Sequence, residues 1–363
     1  MSKLSGNKGE WSEIYVFLRL LAVGKLYAAN ENLDRIDNVF YDVLEIIRRE
    51  AVGVLEFIYN KQTDMVSVRN SDDGSVIVSL NAEKFKYEAD KLYCTIISSV
   101  GSSFSSDDTE KFLSNFGINT LKAKSNDKAD IKIKIHDINS GFEAVQGFSI
   151  KSRLGSPSTL INAAKTTNFI FEVVGDISDD IMNEFNTCSK LFKDRFNVLK
   201  RNRCCIIYRD MENYIFKNNL ILIDGVLPEI TASLLTAYYQ DGFSNVFSAV
   251  KKITEDNPLN YNVASGHPFY SYKIKKLLTE CALGMLPSKV WNGTADATGG
   301  YIIVREDGEV LCYHLFNRNE FEEYLLKSTK FETGSTKRHD FGTMYKKDGK
   351  YYLKLNLQVR FIK

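Results

Sequence analysis

Residues 131–136 alternate strictly, with Ile131, Ile133 and Ile135 apolar and Lys132, Lys134 and His136 polar. Helical side chains return to one face every 3.6 residues and strand side chains every second residue. The run can therefore bury a continuous face only as a β-strand. It lies in the stretch DKADIKIKIHDINSGFEAVQGFSIKS (127–152), which carries a second strand-like run and a turn at Ile138–Asn139–Ser140–Gly141. Opposite residues of an antiparallel hairpin share a constant index sum, and this turn sets that sum at roughly 279–281. Asp130 then faces residues 149–151 across a strand spacing of about 5 Å. Ser149 and Lys151 share a face of the second strand, so one Asp, one Ser and one Lys converge at the open end.

The rest of the chain mixes helices and strands. Residues 10–23, with apolar Trp11, Ile14, Phe17, Leu18 and Leu21, predict an amphipathic helix closed by Gly24. Residues 33–49 read as a second helix, and 54–60, 65–70 and 75–80 as a strand meander. Helices follow over 81–100 and 107–117, and after the hairpin LINAAK reads as the first turns of another. NFIFEVVG (168–175) is a buried strand. Residues 177–196 and 213–284 are mostly helical, interrupted by the strand-like CCIIYRD. From Gly299 strands return, with a hairpin at Glu306–Asp307–Gly308, a helix over 318–327, a loop STKRHDF and a last hairpin turning at Asp348–Gly349. Three consecutive regions are expected: 1–200 with the hairpin, a mostly helical 201–290, and a β-rich 291–363.

Composition narrows the class. The 363 residues are 44% hydrophobic and 26% charged with a net charge of +1, so contact with nucleic acid would have to come from local patches. Six scattered cysteines lack zinc-ligand spacing and read as buried free thiols of a reducing compartment. No apolar run approaches a membrane span and the N-terminus does not read as a signal peptide, so a soluble cytoplasmic protein is expected.

The open end of the hairpin suits phosphodiester hydrolysis. That reaction needs a divalent cation on the phosphate, an activated water and charge neutralisation. Mg²⁺ takes hard oxygen ligands and often only one or two carboxylates. Asp130 offers a carboxylate, Ile150 a backbone carbonyl, and Lys151 a cation for the water or the phosphate. An ordinary solvated Asp–Lys pair is the alternative reading of the same spacing. The loop after Lys151 carries Arg153, Ser156, Ser158 and Thr159 and is expected to run into a helix whose free N–H groups would hold phosphate.

The Asp130…Ser149–Ile150–Lys151 pattern resembles the PD-(D/E)XK nuclease core. Longer strings are similar to the HpaII-type family of type II restriction endonucleases. These are GNKGEWSEIYVFLRLLAVGKLYAA (6–29), LKAKSNDKADIKIKIHD (121–137), GFSIKSRLGSPSTLINAAKTTNFIFEV (147–173) and STKRHDFG with YYLKLNLQVRFI (335–362). The resemblance covers most of the chain. It implies an α/β (α+β) fold with an αβββαβ core, helical insertions and a β-rich C-terminal region. It also implies Mg²⁺-dependent cleavage of double-stranded DNA at a short site, and a companion DNA methyltransferase. Asp130 and Lys151 match the family's catalytic pair. Ser149 stands where the broad motif has an acid, and Ala129 where it has Pro. A further carboxylate is therefore expected from the first helix, Glu13 ahead of Glu10. Glu143 is a poor candidate, about 26 Å along the strand from Lys151.

Residues 333–363 hold eight basic residues and two acidic ones, a local charge of +6. Lys337, Arg338 and His339 in STKRHDF, and Arg318 at the start of the 318–327 helix, are candidate DNA contacts. Arginine suits bidentate readout of guanine, while phosphate positioning is the plainer role. Asn356, Gln358 and Arg360 alternate along the last strand as candidates for readout or for a polar sheet face. Cutting both strands of a palindrome favours a homodimer. Ser149 keeps a rival open, a DNA-binding protein with an inactive core. A repair-type nuclease would share the chemistry.

Overall fold

A computed structural model describes residues 4–122 and 129–363. Residues 123–128, part of the LKAKSNDKAD string, lie outside the described residues. The chain opens with helix α1 (Lys8–Val23), strands β1 (Lys25–Ala29), β2 (Arg35–Glu50), β3 (Gly53–Asn60), β4 (Met65–Asn70) and β5 (Val76–Asn81), and helices α2 (Ala82–Ser98) and α3 (Asp107–Ser114). The hairpin β6 (Ile131–Asp137) and β7 (Glu143–Ser152) follows. Next come β8 (Thr159–Ile161), β9 (Asn168–Val174), α4 (Asp179–Thr187), α5 (Phe192–Arg201), β10 (Cys205–Met211), α6 (Tyr214–Ile223), α7 (Leu227–Asp241), α8 (Val246–Asp256) and α9 (Phe269–Leu283). The chain ends with β11 (Gly300–Val304), β12 (Val310–His314), α10 (Arg318–Lys327), β13 (Thr329–Phe331), α11 (Thr336–His339), β14 (Met344–Lys347), β15 (Lys350–Asn356) and β16 (Val359–Phe361).

Two compact units divide these elements. Met1–Ser158, Ala295–Tyr324 and Lys363 form the first, and Thr159–Thr294 with Leu325–Ile362 the second. The three consecutive regions drawn from the sequence do not coincide with them. The reason is strand pairing: β11 returns to lie parallel to β7, and β12 lies parallel to β1, so 300–314 rejoin the first sheet.

That sheet has nine strands in the order β1-β12-β11-β7-β6-β2-β3-β4-β5, and β1 also pairs with β2. Strands β2, β6, β7, β11, β12 and β1 thus close a hydrogen-bonded circuit, and β3 to β5 extend it as a meander. Asn7 and Glu10 form a capping box at the start of α1, and Gly24 ends it in the left-handed conformation at φ 67°. Trp11, Ile14, Phe17, Leu18 and Leu21 of α1 are buried in one core with Ile131, Ile133, Ile135 and Phe148 of the hairpin. The second unit holds an antiparallel sheet β10-β9-β15-β14, a smaller one β13-β16-β8, and helices α4 to α9. Among the described residues no single helix is long and apolar enough to cross a membrane.

Three local expectations are corrected. Residues 33–49 are not a helix but most of the long strand β2. Its buried positions are Tyr41, Val43, Ile46, Arg48 and Glu50, a period of two broken once where the register with β6 shifts between Val43 and Glu45. Apolar residues at 36, 39, 40, 43, 44 and 47 imitate helical spacing, although only Val43 of these is buried. LINAAK is not a helix either. Thr159–Ile161 is strand β8, paired with β16, and a 3₁₀ turn follows at Lys165–Thr167. STKRHDF contains one helical turn, α11, capped by Ser335. The thiols are free, but Cys94, Cys188 and Cys205 are exposed while Cys204, Cys281 and Cys312 are buried.

Candidate active site

The hairpin register runs from Ile131 opposite Phe148 to His136 opposite Glu143, an index sum of 279 throughout. Asp130 stands one residue before β6, its N–H donating to the Phe148 carbonyl at 2.9 Å, and so lies opposite Ser149. Asp130 Oδ2 accepts from the Ser149 hydroxyl at 3.0 Å and from the Ile150 N–H at 2.7 Å. Lys151 Nζ donates to the same Ser149 hydroxyl at 2.9 Å. Alternation on β7 makes this possible, because residues 149 and 151 share a face. Ser149 is thereby a neutral bridge between a carboxylate and an ammonium.

Helix α1 packs against β7, and Ser12 Oγ meets Ser152 Oγ at 2.8 Å. Glu13 follows Ser12. Its carboxyl is pushed up to about 8, first by burial, then by the charge of Asp130, with a smaller push from Glu10; Lys122 and Arg48 oppose the rise. Glu13 makes no hydrogen bond or ion pair to a described residue. Lys151 is held below the ordinary lysine range by burial, against the favourable charges of Asp130 and Glu13. Glu10 is committed elsewhere. Its Oε2 accepts the Asn7 N–H at 2.9 Å in the capping box, and its Oε1 lies 3.5 Å from Lys122 Nζ. Of the two acids expected from this helix, Glu13 is the one within electrostatic reach of Asp130 that lacks a partner among the described residues. Glu143 is paired with Lys134 at 2.7 Å near the turn.

A cavity of about 750 Å³ is lined by the start of α1 (Asn7, Lys8, Gly9), Glu13, Ile150, Lys151 and the loop Leu154–Ser158. The helix N-terminus expected after this loop is absent, because the chain enters strand β8; the N-terminus on the cavity is that of α1. Among the described residues no three His, Cys, Asp or Glu side chains gather as a metal-binding group. The site offers a cation two carboxylates, Asp130 and Glu13, beside the Ser149 hydroxyl and the Lys151 ammonium. A carboxyl without a partner among the described residues, raised by burial and by a neighbouring carboxylate, is the electrostatic situation a divalent cation relieves.

The remaining candidates are distributed over both units. Arg153 is half-buried and its N–H donates to the Val304 carbonyl at 2.9 Å, continuing the β7–β11 pairing. Ser156 and Ser158 line the cavity. Arg318 is held by Glu322 at 2.7 Å on α10. Thr159 lies in β8, opposite Arg360. Lys337 and Arg338 are exposed on α11, and the His339 carbonyl accepts from Asn168 Nδ2 at 2.8 Å. Asn356 and Gln358 are not an exposed polar face. Asn356 is buried and donates to Ala164, Thr167 and Asn168, while Arg360 pairs with Glu332 at 3.0 Å. Sequence reasoning missed Tyr301, whose ring lies 5.2 Å from Lys151 Nζ, because nothing local announces that β11 pairs with β7.

The family model for the HpaII restriction endonuclease matches residues 7–361. The chain is 39% identical over 360 residues to the type II restriction enzyme HpaII of Haemophilus parainfluenzae, with 99% of each chain covered. No solved structure matches it.

Proposed function

Because the chain belongs to the HpaII family of restriction endonucleases, and is in that sense a site-specific deoxyribonuclease, we propose that the Asp130–Ser149–Lys151 relay and Glu13 form its Mg²⁺-dependent centre for cleaving double-stranded DNA. The observation that carries this is that Glu13 and Lys151 line one cavity and Asp130 joins them through Ser149, with Glu13 lacking a hydrogen-bond or ion-pair partner among the described residues. Asp130 and Glu13 would hold the cation. Ile150 joins them through its carbonyl: its N–H points at Asp130, and the N–H and C=O of an extended residue point to the same side. When bound, the cation neutralises the phosphate and lowers the pKa of a water.

The chain's own residues do the rest. Ser149 holds Lys151 Nζ beside Asp130 without a direct ion pair, so the amine keeps donors for the attacking water or for a phosphate oxygen. Partial burial of Glu13 and Lys151 strengthens each electrostatic interaction. The loop 152–158 and the start of α1 would grip backbone phosphate across the cavity. Lys337, Arg338 and His339 would contact DNA from the second unit, with Arg318, Arg153 and Thr159 as further phosphate contacts. Strands β2, β6 and β7 in antiparallel sequence, followed by β11 parallel to β7, support the αβββαβ reading, with residues 159–294 occupying the crossover. A homodimer for palindromic cutting and a companion methyltransferase complete the proposal.

Plasmid DNA incubated with the protein and Mg²⁺ tests it. Discrete bands that disappear with EDTA are expected; a smear would indicate a repair-type nuclease. A Lys151→Ala variant that cuts as well as wild type would refute the site. Ser149, the feature that kept an inactive reading open, is here part of the relay.

A further inference from the structure

Arg48 and Glu50 form a buried ion pair on β2, with side chains 7% and 1% exposed. Burying two charges costs several kcal/mol of desolvation per ion, offset only when geometry and further hydrogen bonds are complete. Here they are directed at one short segment. Arg48 Nε donates to Glu50 Oε1 at 2.5 Å, and Arg48 Nη2 donates to the carbonyls of Thr120 at 2.5 Å and Leu121 at 3.1 Å. Thr120 Oγ1 lies 3.1 Å from Glu50 Oε2 and donates to the Lys122 carbonyl at 2.8 Å. Leu121 packs so closely on the start of α1 that a Cβ at Gly6 would collide with its Cδ1.

The outcome of this clamp is the placement of Lys122. Its side chain is 63% exposed and faces Glu10 Oε1 at 3.5 Å, one turn before Glu13. Its charge reaches both Glu13 and Lys151. An exposed ammonium beside the first turn of α1, within electrostatic reach of Glu13 and Lys151 and on a backbone pinned by a rigid guanidinium fork, is arranged to meet a phosphate.

We propose that Lys122 is a second phosphate-contacting lysine of the cleavage site and that the buried Arg48–Glu50 pair is the positioning device that holds it there. This rests on the Asp130–Lys151 reading above. Lys151 remains the buried partner of Ser149, while Lys122 takes a phosphate oxygen from the solvent side.

Steady-state cleavage of a duplex substrate with Mg²⁺, across a salt series, tests it. Lys122→Gln is expected to raise KM about tenfold, the equivalent of one charge-assisted hydrogen bond, with a smaller change in kcat. The slope of log(kcat/KM) against log salt should flatten by about one phosphate contact. Lys122→Arg should retain most activity, and Lys86→Gln, an exposed lysine on α2, should match wild type. Arg48→Lys should reproduce the KM effect and add little to Lys122→Gln in the double variant. Should Arg48→Lys fail to fold, Thr120→Val, which removes the tie between Glu50 and the Lys122 carbonyl, should show the same KM effect. Wild-type KM and salt slope in Lys122→Gln overturn the inference while an inactive Lys151→Ala leaves the site reading standing. If Lys151→Ala cuts like wild type, both fall. A wild-type KM in Arg48→Lys or Thr120→Val, beside an impaired Lys122→Gln, overturns the positioning role.

Discussion

Replacing Glu13 by Gln isolates the carboxyl on which the site turns. Its titration lies near 8 in the folded chain against 4.5 ordinarily, because burial and the Asp130 charge oppose ionisation. A group raised in the folded state contributes fully below its unfolded value and loses that contribution as pH climbs through the folded one. Between pH 4.5 and about 8, wild type should therefore lose stability relative to Glu13→Gln, on the order of 5 kcal/mol across the window. Urea denaturation followed by Trp11 fluorescence is a direct assay, since Trp11 is fully buried on the same helix. A Trp291→Phe background removes the other tryptophan. Mg²⁺ at neutral pH should shift the wild-type midpoint upward and leave Glu13→Gln nearly unmoved. Glu10→Gln should keep most of the wild-type pH dependence, because Gln serves the third position of a capping box as well as Glu. Parallel pH profiles for wild type and Glu13→Gln would refute the placement of Glu13 against Asp130, and with it the two-carboxylate site.

Ser149→Ala should destabilise the chain by about 1–3 kcal/mol in denaturant titration, because Lys151 Nζ loses its hydroxyl acceptor, and it should reduce the cleavage rate at saturating Mg²⁺. His314 is lowered to about 4 by burial, so its contribution is complete above 6.5 and lost as pH falls toward 4, a decline of about 3 kcal/mol. A thermal-unfolding series from pH 7 to 4 should show that decline in wild type and a shallower one in His314→Gln. Lys337→Ala and Arg338→Ala should each flatten the salt dependence of DNA binding by about one phosphate contact if they meet the backbone, or relax site preference if they read bases; gel-shift titrations against variant duplexes separate the two.

Local patterns that depend on few residues were legible. The alternation of Ile131, Ile133 and Ile135 and the short turn after Asp137 suffice to bring Asp130 opposite Ser149. The amphipathic α1 closed by Gly24, with Glu10 and Glu13 near its start, follows from spacing alone, whereas its cap at Asn7 is seen only in the structure. Strand β2 was illegible because apolar residues on its partly exposed positions fall at helical spacing and its buried period of two is broken by a register slip. The loop after Lys151 offers glycine and serines that suit a phosphate cradle, but the helix that presents its N-terminus to that cavity is α1, far away in sequence.

The chain by itself therefore determined the hairpin, its register and the pair Asp130 and Lys151, since alternation and turn chemistry act between neighbours and a one-residue slip would turn the apolar face to solvent. Only the tertiary structure distinguished the two glutamates of the first helix. Glu10 and Glu13 are three residues apart on one helix, and packing separates them: one carboxylate closes the helix cap and the other is half-buried within electrostatic reach of Asp130. The same holds for Tyr301 beside Lys151 and for the Arg48–Glu50 clamp on Thr120 and Leu121. Those neighbours are set by long-range strand pairing and charge burial, whose energies depend on spatial proximity and leave no periodic trace in the sequence.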